Sequence, residues 1–382
     1  TNQLVPTVGT CGVMGTASTM ALMTEAMGMM LPGGAAIPAT FADRPRHAEL
    51  TGTRAVAMAA EELTPNKIMT EAAFRNAFRV LLAIGGSTNG IIHAAAMAGR
   101  LGIDIDLDAF DALGRDVPVL VDLKPSGQFY MEDLHRAGGL APVLRELKDL
   151  LELDALTVTG RTLGEEIDAL PASYPQNVVR PFDDPLYPGG GMAVLRGNLA
   201  PDGAVIKQAA ADPALLVHEG RAVVFTSLAD MAERMDDPNL DVTENDVLVL
   251  QNAGPIGAPG MPEAGYIPIP KKLAERGVKD MVRISDARMS GTAFGTIILH
   301  VAPEAAIGGP LGLVRNGDTI RLDVPNRVLE LNVDESELAE RRADWTAPPP
   351  HRGAERGYLN LFLDAVTQAP EGCDFEFLRK RR

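Results

Sequence analysis

Four side chains stand where their type and setting could do chemistry. Cys11 lies in "GTCGVMGTAST" (residues 9–19), among Gly9, Gly12 and Gly15, ahead of an Ala- and Met-rich run that reads as a helix starting near residue 16. A cysteine near a helix N-terminus meets the positive end of the macrodipole, which favours the thiolate, the form that binds soft metals and iron-sulfur clusters. Three glycines in seven residues also let backbone approach something bulky. The same cysteine suits a small buried thiol packed by glycine.

Glu263 is the single acid of "QNAGPIGAPGMPEAG" (251–265), a loop of four glycines and three prolines behind the apolar run "DVLVLQ". A carboxylate on a stiff loop after a strand can ligate a hard cation such as Mg²⁺, or simply be solvated. Ser290 and Thr292 lie in "RISDARMSGTAFG" (283–295), where a strand breaks into a turn that also carries Asp286 and Arg288. The turn lacks the glycine two residues ahead of the serine that a hydrolase elbow requires. No Ser, His and acid order accompanies it, and His300 reads as a strand residue, so a serine hydrolase is disfavoured. A further knot, "GGSTNGIIH" (85–93), sets Ser87, Thr88 and Asn89 ahead of a helix, where they could bind an anion or a hydroxyl, or merely cap.

These residues need elements to hold them. In the first half, apolar residues recur at helical spacing in "ASTMALMTEAMGMML", "TEAAFRNAFRVLLAIGG" and "TNGIIHAAAMAGRLG". "VPVLVDLKPSG" (117–127) reads as a strand closed by Pro and Gly, and "GGLAPVLRELKDLLELD" as a helix, which together predict an α/β layer. After the linker "RPFDDPLYPGGGM" come eight short β-type runs: "MAVLRGNLA", "AVIKQ", "RAVVFTS", "DVLVLQN", "MVRISDA", "GTIILHVAP", "DTIRLDVP" and "RVLELNV". Eight runs bounded by turn residues predict a closed or nearly closed β domain. A second linker, "TAPPPHRGAERG", leads to a helical tail, "YLNLFLDAVTQA". The expected division is an α/β domain over 1–185, a β-barrel-like domain over 186–345, and a tail over 346–382 that docks on the first domain.

Composition limits the ligands. Lys and Arg total 35 against 51 Asp and Glu, a formal charge of −16 that repels nucleic acid and anionic membranes. Small molecules remain. Two cysteines in 382 residues, with no apolar run long enough to cross a bilayer, point to a reducing cytoplasm. The opening "TNQLVPTVGTCG" reads as the middle of a domain.

Taken in order, "GTCGVMGTASTM", "GGSTNGIIH", "GAPGMPE", "ISDARMSGTAFG" and "APEGCDFEFL" resemble the dihydroxy-acid and sugar-acid dehydratase family, from the first residue to the last. "SDARMSGTA" sides with the sugar-acid branch, since branched-chain dihydroxy-acid dehydratases usually carry a "DGRFSGG" type turn. The resemblance implies an α/β domain joined to a β-barrel domain, a [2Fe-2S] cluster, Mg²⁺, and a homodimer or homotetramer. It matches Cys11 to the last of three cluster cysteines, Glu263 to a Mg²⁺ ligand, Ser290 to the catalytic base and Thr292 to a substrate-contacting hydroxyl. The implied activity is conversion of an aldonate such as L-arabinonate, D-xylonate or galactonate to the 2-keto-3-deoxy acid. Two alternatives are a dihydroxy-acid dehydratase of branched-chain amino-acid synthesis and a non-catalytic carbohydrate-binding relative. The other two cluster cysteines and further Mg²⁺ ligands belong to a front segment of the family that this sequence does not include, and Cys373, in the closing segment, is expected to be a packed thiol.

Overall fold

The computed structural model describes residues 8–172 and 174–380. The chain divides into two compact units, Thr1–Gly90 with Ala112–Gly191, and Ile91–Asp111 with Met192–Arg382. Among the described residues no helix is long and apolar enough to cross a membrane.

Helices dominate the first unit: α1 (Thr16–Ala26), α2 (Asp43–Ala60), α3 (Pro65–Ile68), α4 (Glu71–Ala83), then α5 (Asn89–Leu101) and α6 (Leu107–Asp116), along which the chain leaves and re-enters it, and α7 (Met131–Arg136), α8 (Ala141–Glu146) and α9 (Leu163–Asp168). The best-formed pair is α1 on α4. Thr70 caps α4 by accepting from the Ala73 amide, and the helix buries Phe74, Ala77, Phe78 and Leu81. Gly86 is required beside it, because a Cβ there would stand 2.7 Å from Leu81 Cδ1 and 2.9 Å from Thr19 Cγ2. The strand predicted over 117–127 is corrected. Val119, Leu120 and Val121 are buried as a strand's would be, but the segment makes only isolated bridges, to Tyr187, Val179 and Phe129. Its neighbours are loop and the end of α4, whose Ala83 carbonyl takes the Leu120 amide at 2.7 Å, so no ladder can extend.

The second unit contains all eight predicted strands: β1 (Ala193–Leu195), β2 (Gly203–Ile206), β3 (Val217–Phe225), β4 (Val247–Leu250), β5 (Arg283–Ser285), β6 (Ile297–Ala302), β7 (Thr319–Asp323) and β8 (Val328–Asn332). They form one sheet in the order β1-β2-β6-β5-β4-β3-β7-β8. The central β3, β4, β5 and β6 run parallel, and the outer pairings are antiparallel. The two edges meet: Arg196, just past β1, bridges Val328, with its amide donating to Arg327 O at 2.9 Å and its carbonyl taking the Leu329 amide at 2.8 Å. This nearly closes the sheet into a barrel, as the sequence predicts. Ala204, Ile206, Val224, Val249, Ile284, Ile298 and Leu322 fill one face. Phe225, Leu248 and Leu250 pack on the other against Ile267, Leu273 and Met281, so β4 is buried on both faces, as central parallel strands are. α10 (Leu228–Arg234), α11 (Lys271–Ala274), α12 (Glu335–Asp344) and α13 (Gly357–Ala365) complete the unit. The tail is tied to α5 by an Arg100–Asp374 ion pair at 2.7 Å.

Candidate active site

β4 and β5 are parallel neighbours, so the loops leaving their C-terminal ends emerge side by side, the usual place for a site in parallel sheets. The loop after β4 carries Glu263, and the turn after β5 carries Ser290. Two hydrogen bonds through Arg288 join them. Its Nε donates to Met261 O at 2.6 Å, and its carbonyl accepts the Gly265 amide at 2.9 Å, one on each side of Glu263. Glu263 is exposed, whereas Ser290 and Thr292 are half-buried with their hydroxyls 3.0 Å apart. The turn closes through Ala293 N to Ser290 O at 3.0 Å. Gly295 ends it at φ +119°, and a side chain there would run into the Arg283 guanidinium.

Buried charge braces both loops. Asp286 is 1% exposed and accepts the Ala253 amide with one oxygen and the Ala305 amide with the other, each at 2.9 Å. Burial pushes its carboxyl up to about 7, against the pull of those amides. Glu304 takes the Gly257 amide at 2.9 Å and Gln368 Nε2 at 2.8 Å, and burial raises it too. Two histidines complete the surroundings. Burial and the Arg288 guanidinium hold His93 on α5 below its ordinary value, with Glu263 pulling the other way. Burial, then Arg288 and His93, pushes His300 down to about 3. Its Nε2 has no hydrogen-bond partner, and its φ of +56° falls at the register shift between β2 and β6. Such a bulge re-aims a side chain.

Cys11 belongs to the first unit. It is exposed and lines a cavity of about 470 Å³ with Gly12, Ala17, Ser18, Ala35 and Arg44. The loop is pinned by Met14 N to Lys124 O at 2.9 Å and Met131 N to Gly12 O at 2.8 Å. As predicted, the helix behind it starts at Thr16. The exposure corrects the alternative in which the thiol is buried. Ser87, Thr88 and Asn89 are buried, and Ser87 Oγ and Asn89 Nδ2 both bond Thr16 Oγ1, at 2.8 and 3.0 Å, which makes this knot a tie to the start of α1 within the first unit.

A family model described as the dihydroxy-acid/6-phosphogluconate dehydratase N-terminal domain matches residues 1–166, and its C-terminal counterpart matches 177–373. The chain belongs to this dehydratase family. It is 52% identical over 373 residues to an L-arabinonate dehydratase of Rhizobium leguminosarum bv. trifolii, covering 97% of this chain and 64% of that one. An L-arabonate dehydratase of Azospirillum brasilense is 52% identical over 365 residues, 94% of this chain and 62% of its own. A 6-deoxy-6-sulfo-D-gluconate dehydratase of Pseudomonas putida is 47% identical over 375 residues, 97% of this chain and 64% of its own. The chain thus spans less than two thirds of the length of these relatives.

The chain offers few donors for an ion. Among the described residues no three His, Cys, Asp or Glu side chains converge to hold an ion. Single ligands do fit: an exposed thiol beside a cavity, and an exposed carboxylate on a braced loop. The structure brings Glu263, Ser290 and Thr292 together in the second unit and leaves Cys11 in the first. Sequence reading passed over His93, Glu304 and Lys207. The signal for the last was a lysine inside the apolar run "AVIKQ". Cys373 is a packed thiol, its Sγ 3.4 Å from Met261 Sδ and pushed by burial up to about 12.

Proposed function

We propose that this chain carries the proton-abstracting part of a dehydratase that converts a sugar acid, an aldonate such as L-arabinonate, D-xylonate or galactonate, to the 2-keto-3-deoxy acid. The observation that carries this reading is the pair of Arg288 hydrogen bonds, which hold the Glu263 loop against the serine turn. The sugar-acid names of the relatives favour this substrate class over a branched-chain dihydroxy acid.

Cys11 would hold a [2Fe-2S] cluster and Glu263 would hold Mg²⁺, and together these would supply the positive charge that a departing hydroxide and a developing enolate require. The chain's own residues do the rest. Ser290 Oγ takes the C2 proton. Thr292, 3.0 Å away, shares the hydrogen bond that fixes the direction of the Ser290 hydroxyl. The Asp286 brace keeps that oxygen in place, and Glu304 holds the loop that carries Glu263, because a base must meet its proton at hydrogen-bonding distance. Loss of the C3 hydroxyl as water leaves an enol, which becomes the 2-keto acid.

The test is a panel of aldonates assayed for 2-keto acid, with the protein expressed from its whole gene and reconstituted with iron, sulfide and Mg²⁺. Turnover of at least one aldonate is expected. If only 2,3-dihydroxyisovalerate reacts, the branch assignment is wrong. Binding of aldonates without turnover of any substrate would leave a carbohydrate-binding protein.

A further inference from the structure

Lys207 immediately follows β2, is 1% exposed, and its ammonium has no hydrogen-bond partner. Burial alone acts on it, pushing it down to about 8. A buried cation without a counter-charge is costly, and such a group is retained where a ligand or a reaction supplies the missing negative charge.

Strand register shows which way it points. Val205 opposes Leu299 and Ile206 opposes Ile298 across β2 and β6, and directly paired residues share a face. Ala204, Ile206 and Ile298 lie in the barrel core. Ile297 and Leu299, on the opposite face, pack with Met289 and Ala293, the residues that flank Ser290, Gly291 and Thr292. Lys207 comes one residue after Ile206, the last residue of β2; its φ of −83° continues the strand's alternation, which puts it with Val205 on the face that carries the serine turn, and its ψ of 81° then turns the chain out of the strand. Main chain ties the two segments together: the Gly295 amide donates to Ala210 O at 2.9 Å, and the Asp212 amide to Thr296 Oγ1 at 3.2 Å.

We propose that Lys207 is a positioning residue for the base, its ammonium set beneath the serine turn to stabilise the negative charge that Ser290 must carry. A serine hydroxyl is too weak an acid to work as a base unless a cation lowers its proton affinity. The Ser290 oxygen anion takes the C2 proton, and the C2–H electron pair becomes the C2–C3 double bond as the C3–O bond breaks. The departing hydroxide takes that proton back from Ser290 and leaves as water, which restores the pairing of oxygen anion and ammonium. This inference rests on the dehydratase reading.

The experiment compares Lys207→Met and Lys207→Ala with wild type, in protein expressed from its whole gene and reconstituted, on an aldonate that wild type turns over. Lys207→Met is expected to melt at or above the wild-type temperature, because an uncompensated buried charge has gone. Its kcat should fall by about 10²- to 10³-fold, the usual scale for losing one electrostatic stabiliser, with KM within a few-fold. Ethylammonium should partly restore Lys207→Ala, and propanol of similar size should not. The assignment is overturned by a Lys207→Met enzyme with wild-type kcat, by equal rescue with the alcohol, or by lost activity that tracks a lowered melting temperature. A wild type inactive on every aldonate removes the dehydratase reading and this inference together, whereas an active wild type with unimpaired Lys207→Met removes Lys207 alone.

Discussion

The loop around Cys11 and the turn around Ser290 are both made of glycine and small polar residues, yet they are held in different ways. The first is attached by main-chain hydrogen bonds, and its cysteine is exposed. Gly15, at the N-cap of the helix behind it, offers no side chain to tie the loop down. The second is anchored over buried charge: Asp286 clasps two amides, and Arg283, 1% exposed, pairs with Asp280 at 2.5 Å. The turn is therefore organised before any ligand arrives, whereas the cysteine loop presents a reactive atom with little local support. A proton-transferring group needs the first arrangement, since small misplacements cost large factors in rate. A ligand to a multi-bonded group can take its final position from the group it binds.

Four experiments test this contrast, beginning with the largest expected effect. Ser290→Ala should lower kcat by roughly 10²- to 10⁴-fold, the usual loss for a general base. KM and the melting curve should stay near wild type, because the turn is held by Asp286 and Gly295, and the hydroxyl adds only the long 3.5 Å bond from the Thr292 amide and its pairing with the Thr292 hydroxyl. Steady-state kinetics on an aldonate decide this, and turnover within a few-fold of wild type would remove Ser290 from the mechanism.

Asp286→Ala should cost about 2–4 kcal/mol in urea unfolding, since two buried amides each lose their acceptor. A smaller loss would mean that the brace is not what fixes the turn.

The third test uses pH. His300 is pushed down to about 3 from its ordinary 6.5. The unfolded chain therefore binds a proton below pH 6.5 that the native protein refuses. Its contribution is complete above pH 6.5 and is lost as pH falls toward 3, by at most about 1.4 kcal/mol per pH unit. His300→Asn cannot titrate and tolerates the left-handed backbone, so its urea midpoint should fall less than that of wild type between pH 7 and 5. Asp286 works in the opposite direction, since its raised value makes the native state the tighter proton binder between about 4 and 7, but it is common to both proteins and cancels. Equal slopes would show that His300 is not held neutral. Cys11→Ser should do least to the fold, changing stability by no more than about 0.5 kcal/mol as exposed substitutions do. Iron and sulfide retained after reconstitution should nevertheless drop, and an unchanged content would exclude Cys11 as a ligand.

The barrel was legible in the sequence because each strand is an apolar run ended by turn residues, and the order of the runs is the order of the strands. The run at 117–127 carried the same signal and misled, because periodicity reports burial and not what lies alongside. Ser290 and Glu263 stood out as reactive types on glycine-rich loops. The link between them did not, since it joins the Arg288 side chain to the Met261 carbonyl and the Arg288 carbonyl to the Gly265 amide, and no residue type encodes which main-chain groups a side chain will meet. Lys207 and His300 were hidden for a related reason. Each sits in an apolar run where its neighbours set the reading, and only three dimensions show that its polar end has no partner.

The second unit is assembled from two separated stretches of chain, and this has a consequence for making it. Residues 91–111 are synthesised before Ala112–Gly191 yet belong with the stretch from Met192 onward. Asp111 therefore waits through that interval for its partners, the Val194 amide at 3.0 Å and Arg327 Nε at 2.7 Å. A gene trimmed to start at Met192 would encode every strand of the barrel but not the carboxylate that secures the first strand to the arginine just before the last. Expressing this unit by itself calls for residues 91–111 to be grafted back as a separate segment.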